Sequence, residues 1–260
     1  MSILDSLDMN HLIATAREAG GAIMEVYETD FDVSRKSDKS PLTVADLRAH
    51  EIISSRLRAR YPGVPILSEE NTEQAVYEVR KTWPSFWLVD PLDGTKEFVK
   101  RNGQFTVNIA LIEGSRPVAG AVYAPALKLL YHARQGQAAV KTQEGAAPVS
   151  LTRPQAAPKD RLVIAGSLSH PTPEMDAFVE EQRRKYKQVD FVAMGSSLKL
   201  CMVADGRADI YPRFGPTMEW DTGAAHAIAN SAGRKVLRWG SAEELVYNKP
   251  DLHNEWFVVE

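Results

Sequence analysis

The chain has 260 residues, 44% of them hydrophobic and 25% charged, which is enough apolar content for a sizeable soluble core. Its net charge of −3, with no basic stripe interleaved with aromatics, excludes an electrostatic footprint for nucleic acid. One cysteine, Cys201, excludes an internal disulfide; neither a signal peptide nor an apolar run of membrane-spanning length is read, so a reducing, cytoplasmic setting is expected.

Residues 9–27 read as a helix, because Leu12, Ile13, Ala16, Ala19, Ile23, Val26 and Tyr27 share roughly one face. Residues 33–41 read as a strand and then a loop. Thr43 is the expected N-cap of a second helix, with Asp46 in its first turn and Pro62-Gly63 ending it after Tyr61. Residues 64–67 form a short strand that leads into Glu69 and Glu70. Residues 86–89 read as a buried strand closed by Asp90, with Pro91 ending the pairing because it has no N–H to donate. Residues 105–112 and 117–123 suggest a hairpin, and 129–133 a further antiparallel strand.

Three prolines and several small residues over 141–158 suggest a connection between an N-terminal α+β metal-binding subdomain, 1–155, and a C-terminal α/β subdomain, 156–260. Beyond it strands are expected at 162–165, 189–192 and near Ile210. Helices are expected over about 173–185, 197–204 and 222–231. That alternation is the mark of an α/β layer. Cys201 and His226 read as packed residues, and the basic run 183–187 as a solvated helix end.

Acids gather at three of these element boundaries. Glu69 and Glu70 follow one strand, Asp90 and Asp93 follow the next, and Asp221 opens a helix behind Trp220. Each has an ordinary reading alone: a solvated loop for Glu69-Glu70, turn residues for Asp93-Gly94, an N-cap for Asp221. Asp90 is the exception, since a carboxylate closing an apolar strand needs a partner or a cation. Together they favour a site for a hard cation, which takes oxygen ligands arriving from several directions. The small residues Gly94 and Thr95 add backbone N–H groups able to face an anion. A haloacid-dehalogenase-type motif, with a nucleophilic Asp, is disfavoured because two residues, Pro91 and Leu92, separate the acids rather than one.

Four stretches, Ser40-Pro41-Leu42-Thr43-Val44-Ala45-Asp46, Leu67-Ser68-Glu69-Glu70, the run from Asp90 to Phe98, and Trp220-Asp221-Thr222, resemble the inositol monophosphatase superfamily of Mg²⁺-dependent, lithium-sensitive phosphatases. The likeness covers nearly the whole chain and implies a layered α/β fold, an alternating αβαβα sandwich. Residues 195–199 and 211–217 favour its bisphosphate nucleotidase branch. Carried over by position, the resemblance implies that Glu69, Asp90 and the main-chain oxygen of Leu92 bind one Mg²⁺, while Asp90, Asp93 and Asp221 bind a second, with two or three ions in all. It also implies that Gly94 and Thr95 hold the phosphate and that the Thr95 hydroxyl, with Glu69 or Asp46, orients the attacking water. Gly223-Ala224-Ala225 departs from the usual Ala-Ala-Gly, but all of these residues are small.

Ser196, Ser197 and Lys199 at a strand-to-helix turn, and Arg213 after a short strand, are candidates to bind a further phosphate or a base. An N-cap role for the serines and structural ion pairs for the two cations are the alternatives. The substrate implied is a small phosphorylated nucleotide, adenosine 3′,5′-bisphosphate, a compound of sulfate assimilation, cleaved to AMP and phosphate. An inositol or sugar monophosphatase, and a non-catalytic phosphometabolite-binding protein, are the competing readings. Oligomeric state is left open, and peripheral contact with the cytoplasmic face of the inner membrane is compatible with the resemblance.

Overall fold

A computed structural model describes residues 2–29, 41–152, 160–167 and 172–260, so the strand and loop expected over 33–40 lie outside the described residues. The chain opens with α1 (Met9–Tyr27), capped by Asp8, whose carboxylate accepts the Asn10 and His11 N–H groups at 3.0 and 3.2 Å. Next comes α2 (Pro41–Arg60), which starts ahead of the expected cap. Pro41 occupies its first position, where a missing N–H costs nothing, so Thr43 lies inside the helix and Asp46 beyond its first turn.

After α2 follow β1 (Ile66–Ser68), a 3₁₀ turn over Glu69–Gln74, α3 (Tyr77–Arg80), β2 (Ser85–Asp93) and α4 (Thr95–Val99). Five strands then run in succession: β3 (Thr106–Glu113), β4 (Arg116–Ala124), β5 (Leu129–Arg134), β6 (Ala139–Gln143) and β7 (Val149–Leu151). These seven strands form one sheet in chain order, with β1 parallel to β2 and every later pair antiparallel. Part of the stretch expected as a connection, 141–158, is therefore strand: β6 and β7 extend the sheet by hairpin pairing.

The second half runs β8 (Arg161–Gly166), α5 (Pro173–Arg183), β9 (Gln188–Ala193), α6 (Leu198–Ala204), β10 (Tyr211–Arg213), α7 (Glu219–Ser231), β11 (Val236–Arg238) and β12 (Phe257–Val259). Parallel β8 and β9 form one ribbon, and β12 lies between β10 and β11. A single Ile164–Ile210 bridge links the two groups. β11 and β12 were not foreseen, because three-residue strands carry too little periodicity to register.

The large sheet is buried on both faces, and residues on β2 and β3 alternate between the two cores. Trp87, Val89, Ile109 and Leu111 meet Leu12, Ile23, Ile53 and Leu57 of α1 and α2. Phe86, Leu88 and Ile112 meet Leu200, Ala225 and Ile228 of α6 and α7. The second sheet packs against α6 and α7 through Ala165, Tyr211 and Phe257, and α5 closes the stack with Phe178 on Leu162 and Ile164. The layers are thus α, β, α, β, α, as the resemblance implied. α7 approaches the sheet so closely that a Cβ on Gly120 would lie 2.4 Å from the Ala224 carbonyl oxygen, and one on Gly223 2.9 Å from Leu88. The Gly223-Ala224-Ala225 order suits that contact. His226 is fully buried beside Tyr247, with 2.9 Å between Nδ1 and the hydroxyl, and Cys201 is a core residue, both as expected.

Candidate active site

β2 does not stop at Asp90. Its pairing with β3 matches Asp90 to Asn108 and Asp93 to Thr106, with a register shift between them. Pro91 cannot donate, so the ladder skips rather than ends, and the resulting bulge aims two acids from one strand end into one space. Asp90 Oδ1 accepts the Leu92 N–H at 3.1 Å, which fixes this bulge from within.

Asp221 arrives from the other side. It lies in the first turn of α7, where its carboxylate accepts the Met218 N–H at 2.9 Å. One carboxylate oxygen from each of Asp90, Asp93 and Asp221 lies within 4.8 Å of the others. Glu69 stands beside them, close enough for the charges of Asp93 and Asp90 to act on it. It starts the 3₁₀ turn, which Ser68 and Asn71 cap reciprocally, and His50 Nδ1 stands 2.9 Å from the Ser68 hydroxyl. Asp46 completes the group, next to Glu70 and Glu69.

So many carboxylates crowded around the buried Asp90 and Asp46 cannot all hold a charge unaided. Burial, then Asp93, Glu69, Asp221 and Asp46, hold Asp90 well above the usual carboxylate range. Asp221 is pushed up to about 7 by burial and by Asp93. Glu69, desolvated on its inner side and close to Asp93 and Glu70, rises to about 7. Asp46 rises to about 8, by burial and then by Glu70 and Glu69. This is a donor set for hard divalent cations: oxygen ligands only, from separate elements, with unrelieved like charge.

Asp93 and Asp221 also line an open cleft of about 230 Å³ together with Thr95, Ser196, Lys199 and Arg213. Gly94 turns the chain into α4 with φ of 91°, and a Cβ there would sit 3.1 Å from the Gln104 carbonyl oxygen. Only glycine fits that position without strain. Thr95 follows it, exposed at the start of α4.

Packed against Gly94, Ser196 has a positive φ of 48°, and its hydroxyl is buried without a hydrogen-bond partner. Ser197 is turned elsewhere: its N–H and hydroxyl both donate to Asp93 Oδ2, at 2.6 and 2.7 Å, so it does not cap α6 with its side chain. Lys199 is 7% exposed and donates to the Ser196 carbonyl at 2.7 Å. Burial, with Arg213 acting the same way and Asp93 opposing, brings its ammonium down to about 8. Arg213 donates to the Pro216 carbonyl at 3.0 Å. Of the residues singled out in the sequence, Asp93, Gly94, Thr95, Ser196, Ser197, Lys199, Arg213 and Asp221 line one cleft, Asp90 meets Asp93 and Asp221 in the acidic cluster, and Glu69 and Asp46 stand beside it, whereas the Leu92 side chain packs in the apolar core.

Asn108 was missed. It lies 1% exposed on β3, and its amide donates to the Ser197 hydroxyl at 2.6 Å. The signal was present: an amide inside the apolar run Val107-Asn108-Ile109 needs buried partners. Gln104, whose side-chain oxygen accepts the Gly195 N–H at 2.8 Å, carried no such signal.

The model of the inositol monophosphatase family matches residues 6–255. The chain is 47% identical over 226 residues to the 3′(2′),5′-bisphosphate nucleotidase CysQ of Salmonella typhimurium, spanning 86% of this chain and 87% of that relative. It is 46% identical over 233 residues to CysQ of Escherichia coli K12, spanning 89% and 90%. The crystal structure of CysQ from Bacteroides thetaiotaomicron superposes with a TM-score of 0.87 at 43% identity, over 97% of each chain. An inositol monophosphatase from Zymomonas mobilis shares the fold, with a TM-score of 0.78 at 20% identity over 100% of this chain and 94% of that one. With the acidic cluster at its β2 bulge and the five-layer fold around it, the chain belongs to the inositol monophosphatase family.

Proposed function

We propose that the chain is a 3′(2′),5′-bisphosphate nucleotidase, a Mg²⁺-dependent phosphoric monoester hydrolase that converts adenosine 3′,5′-bisphosphate and water to AMP and phosphate. The observation that carries this reading is one cleft lined both by Asp93 and Asp221 of the acidic cluster and by the cations Lys199 and Arg213. Such a cleft suits a substrate with one phosphate to be cleaved and another to be anchored. The CysQ relatives support the nucleotide over the inositol branch.

Glu69, Asp90 and the Leu92 main-chain oxygen would hold one Mg²⁺, and Asp90, Asp93 and Asp221 a second, with room in the account for a third. When bound, the cations supply Lewis acidity that offsets charge on the phosphoryl oxygens and on the attacking and leaving oxygens. The chain's own groups do the positioning. The Gly94 and Thr95 N–H groups hold the phosphoryl group, and the Thr95 hydroxyl with Glu69 and Asp46 aligns a water opposite the ribose 3′-oxygen. The water oxygen bonds to phosphorus as the bond to the 3′-oxygen breaks, and that oxygen takes up a proton.

Ser196, Lys199 and Arg213 anchor the 5′-phosphate, and Ser197 serves the site through Asp93. The described helices include none long and apolar enough to cross a membrane. We take the working compartment to be the cytoplasm and the partner to be a small nucleotide. Chromatography of the products tests the assignment. AMP formed from adenosine 3′,5′-bisphosphate, faster than inositol from inositol 1-phosphate, is the expected result. The reverse preference would keep the chemistry and overturn the substrate.

A further inference from the structure

We infer that Ser197 and Asn108 are positioning residues for the metal centre, which make Asp93 a ligand through one oxygen only. This rests on the reading of Asp93 as a cation ligand. Among the described residues, the hydrogen bonds to the Asp93 carboxylate end on Oδ2: Ser197 N–H at 2.6 Å, Ser197 Oγ at 2.7 Å, Asn108 Nδ2 at 3.4 Å and Thr106 Oγ1 at 3.5 Å. The two short bonds saturate that oxygen and leave Oδ1 as the atom free to meet a cation.

The direction of the chain of bonds is forced. A carboxylate only accepts, so the Ser197 hydroxyl must donate its single proton to Asp93. That hydroxyl then needs a donor of its own, and Asn108 Nδ2 supplies one at 2.6 Å. The amide on β3 thus orients the serine, and the serine orients the aspartate. Asn108 is 1% and Ser197 2% exposed, so neither has water as a substitute partner. β3 contributes by register: Thr106 stands opposite Asp93, and Asn108 opposite Asp90. Apart from Glu113 at its far end, the polar residues of this strand are the two that stand opposite the acids.

Ser197 also belongs to the turn that carries Ser196 and Lys199 into the cleft. Its backbone N–H on Asp93 ties that turn to the acidic cluster, so the anchoring wall of the cleft and the cation site share one joint. Outer partners of this kind contribute to metal affinity by restricting the ligand to its binding orientation.

The test is Mn²⁺ binding without substrate, read from the electron paramagnetic resonance signal of free Mn²⁺. Ser197→Ala is expected to weaken binding by about 10- to 100-fold. Ser197→Thr, which keeps the hydroxyl, is expected to restore most of it. Asn108→Leu, close in volume and without a donor, is expected to weaken binding as Ser197→Ala does. Wild-type Mn²⁺ affinity in Ser197→Ala or in Asn108→Leu would overturn the inference. A wild-type chain that binds no Mn²⁺ would instead overturn the metal-site reading beneath it.

Discussion

Asp221 accepts the Met218 backbone N–H at 2.9 Å, so the side chain that closes the first turn of α7 is also a member of the acidic cluster. The N-cap is Met218 rather than Asp221, because the helix starts at Glu219; Asp221 is its third residue and reaches back to the cap N–H from within the acidic cluster. The two roles separate by substitution. Asp221→Asn keeps an oxygen for the Met218 N–H but loses the charge, so unfolding free energy should change by less than about 1 kcal/mol while divalent-cation binding falls sharply. Asp221→Ala should lose both. Thermal unfolding beside a cation titration distinguishes the two variants.

The raised carboxylates set a pH dependence with a definite sign. Asp46 moves from 3.8 to about 8, Glu69 from 4.5 to about 7 and Asp221 from 3.8 to about 7. In the cation-free chain the folded state therefore holds more protons than the unfolded state between those limits. That contribution to stability is complete below the unfolded values and is lost as pH rises through the folded ones. Cation binding displaces the same protons. The gain in Tm on adding Mg²⁺ should grow from about pH 5.5 to about pH 8. A gain that shrinks over that interval would contradict the assignment.

Gly94 carries a prediction from backbone geometry. At φ of 91° and 3.1 Å from the Gln104 carbonyl oxygen, a Cβ meets both strain and contact. Gly94→Ala should cost about 1–2 kcal/mol of stability and lower kcat by displacing Thr95. Urea unfolding and steady-state kinetics check the two effects.

Lys199 tests the anchoring of the second phosphate. Lys199→Met keeps most of the buried volume and removes the ammonium. KM for adenosine 3′,5′-bisphosphate should rise about 10- to 100-fold, the loss of a charge-assisted hydrogen bond, with a much smaller effect on a substrate bearing one phosphate. Equal effects on the two substrates would mean that Lys199 holds the fold rather than the 5′-phosphate.

Much of this was legible from residue order. The apolar run around Trp87 announced a buried strand and the one around Ile109 a hairpin arm, and Asp90 announced itself by ending the first. The bulge at Pro91-Leu92 was read as a strand end, because a proline shows where pairing is interrupted but not whether it resumes. The start of α2 was misplaced because Thr43 offers a cap while Pro41, a position earlier in the turn, offers a first helical residue. Ser197 was read as a phosphate ligand, and the structure turns it to Asp93: which way a side chain points depends on β3, 91 residues away from Thr106 and 89 from Asn108. The family likeness supplied the convergence of Glu69, Asp90, Asp93 and Asp221, which no local pattern contains.

The most direct measurement is phosphate release from adenosine 3′,5′-bisphosphate by the wild-type chain with Mg²⁺, by the same chain with EDTA, and by Asp93→Asn with Mg²⁺. The account predicts rapid release in the first case and loss of about two orders of magnitude or more in the other two. Release that persists in EDTA, or that survives Asp93→Asn, would contradict it.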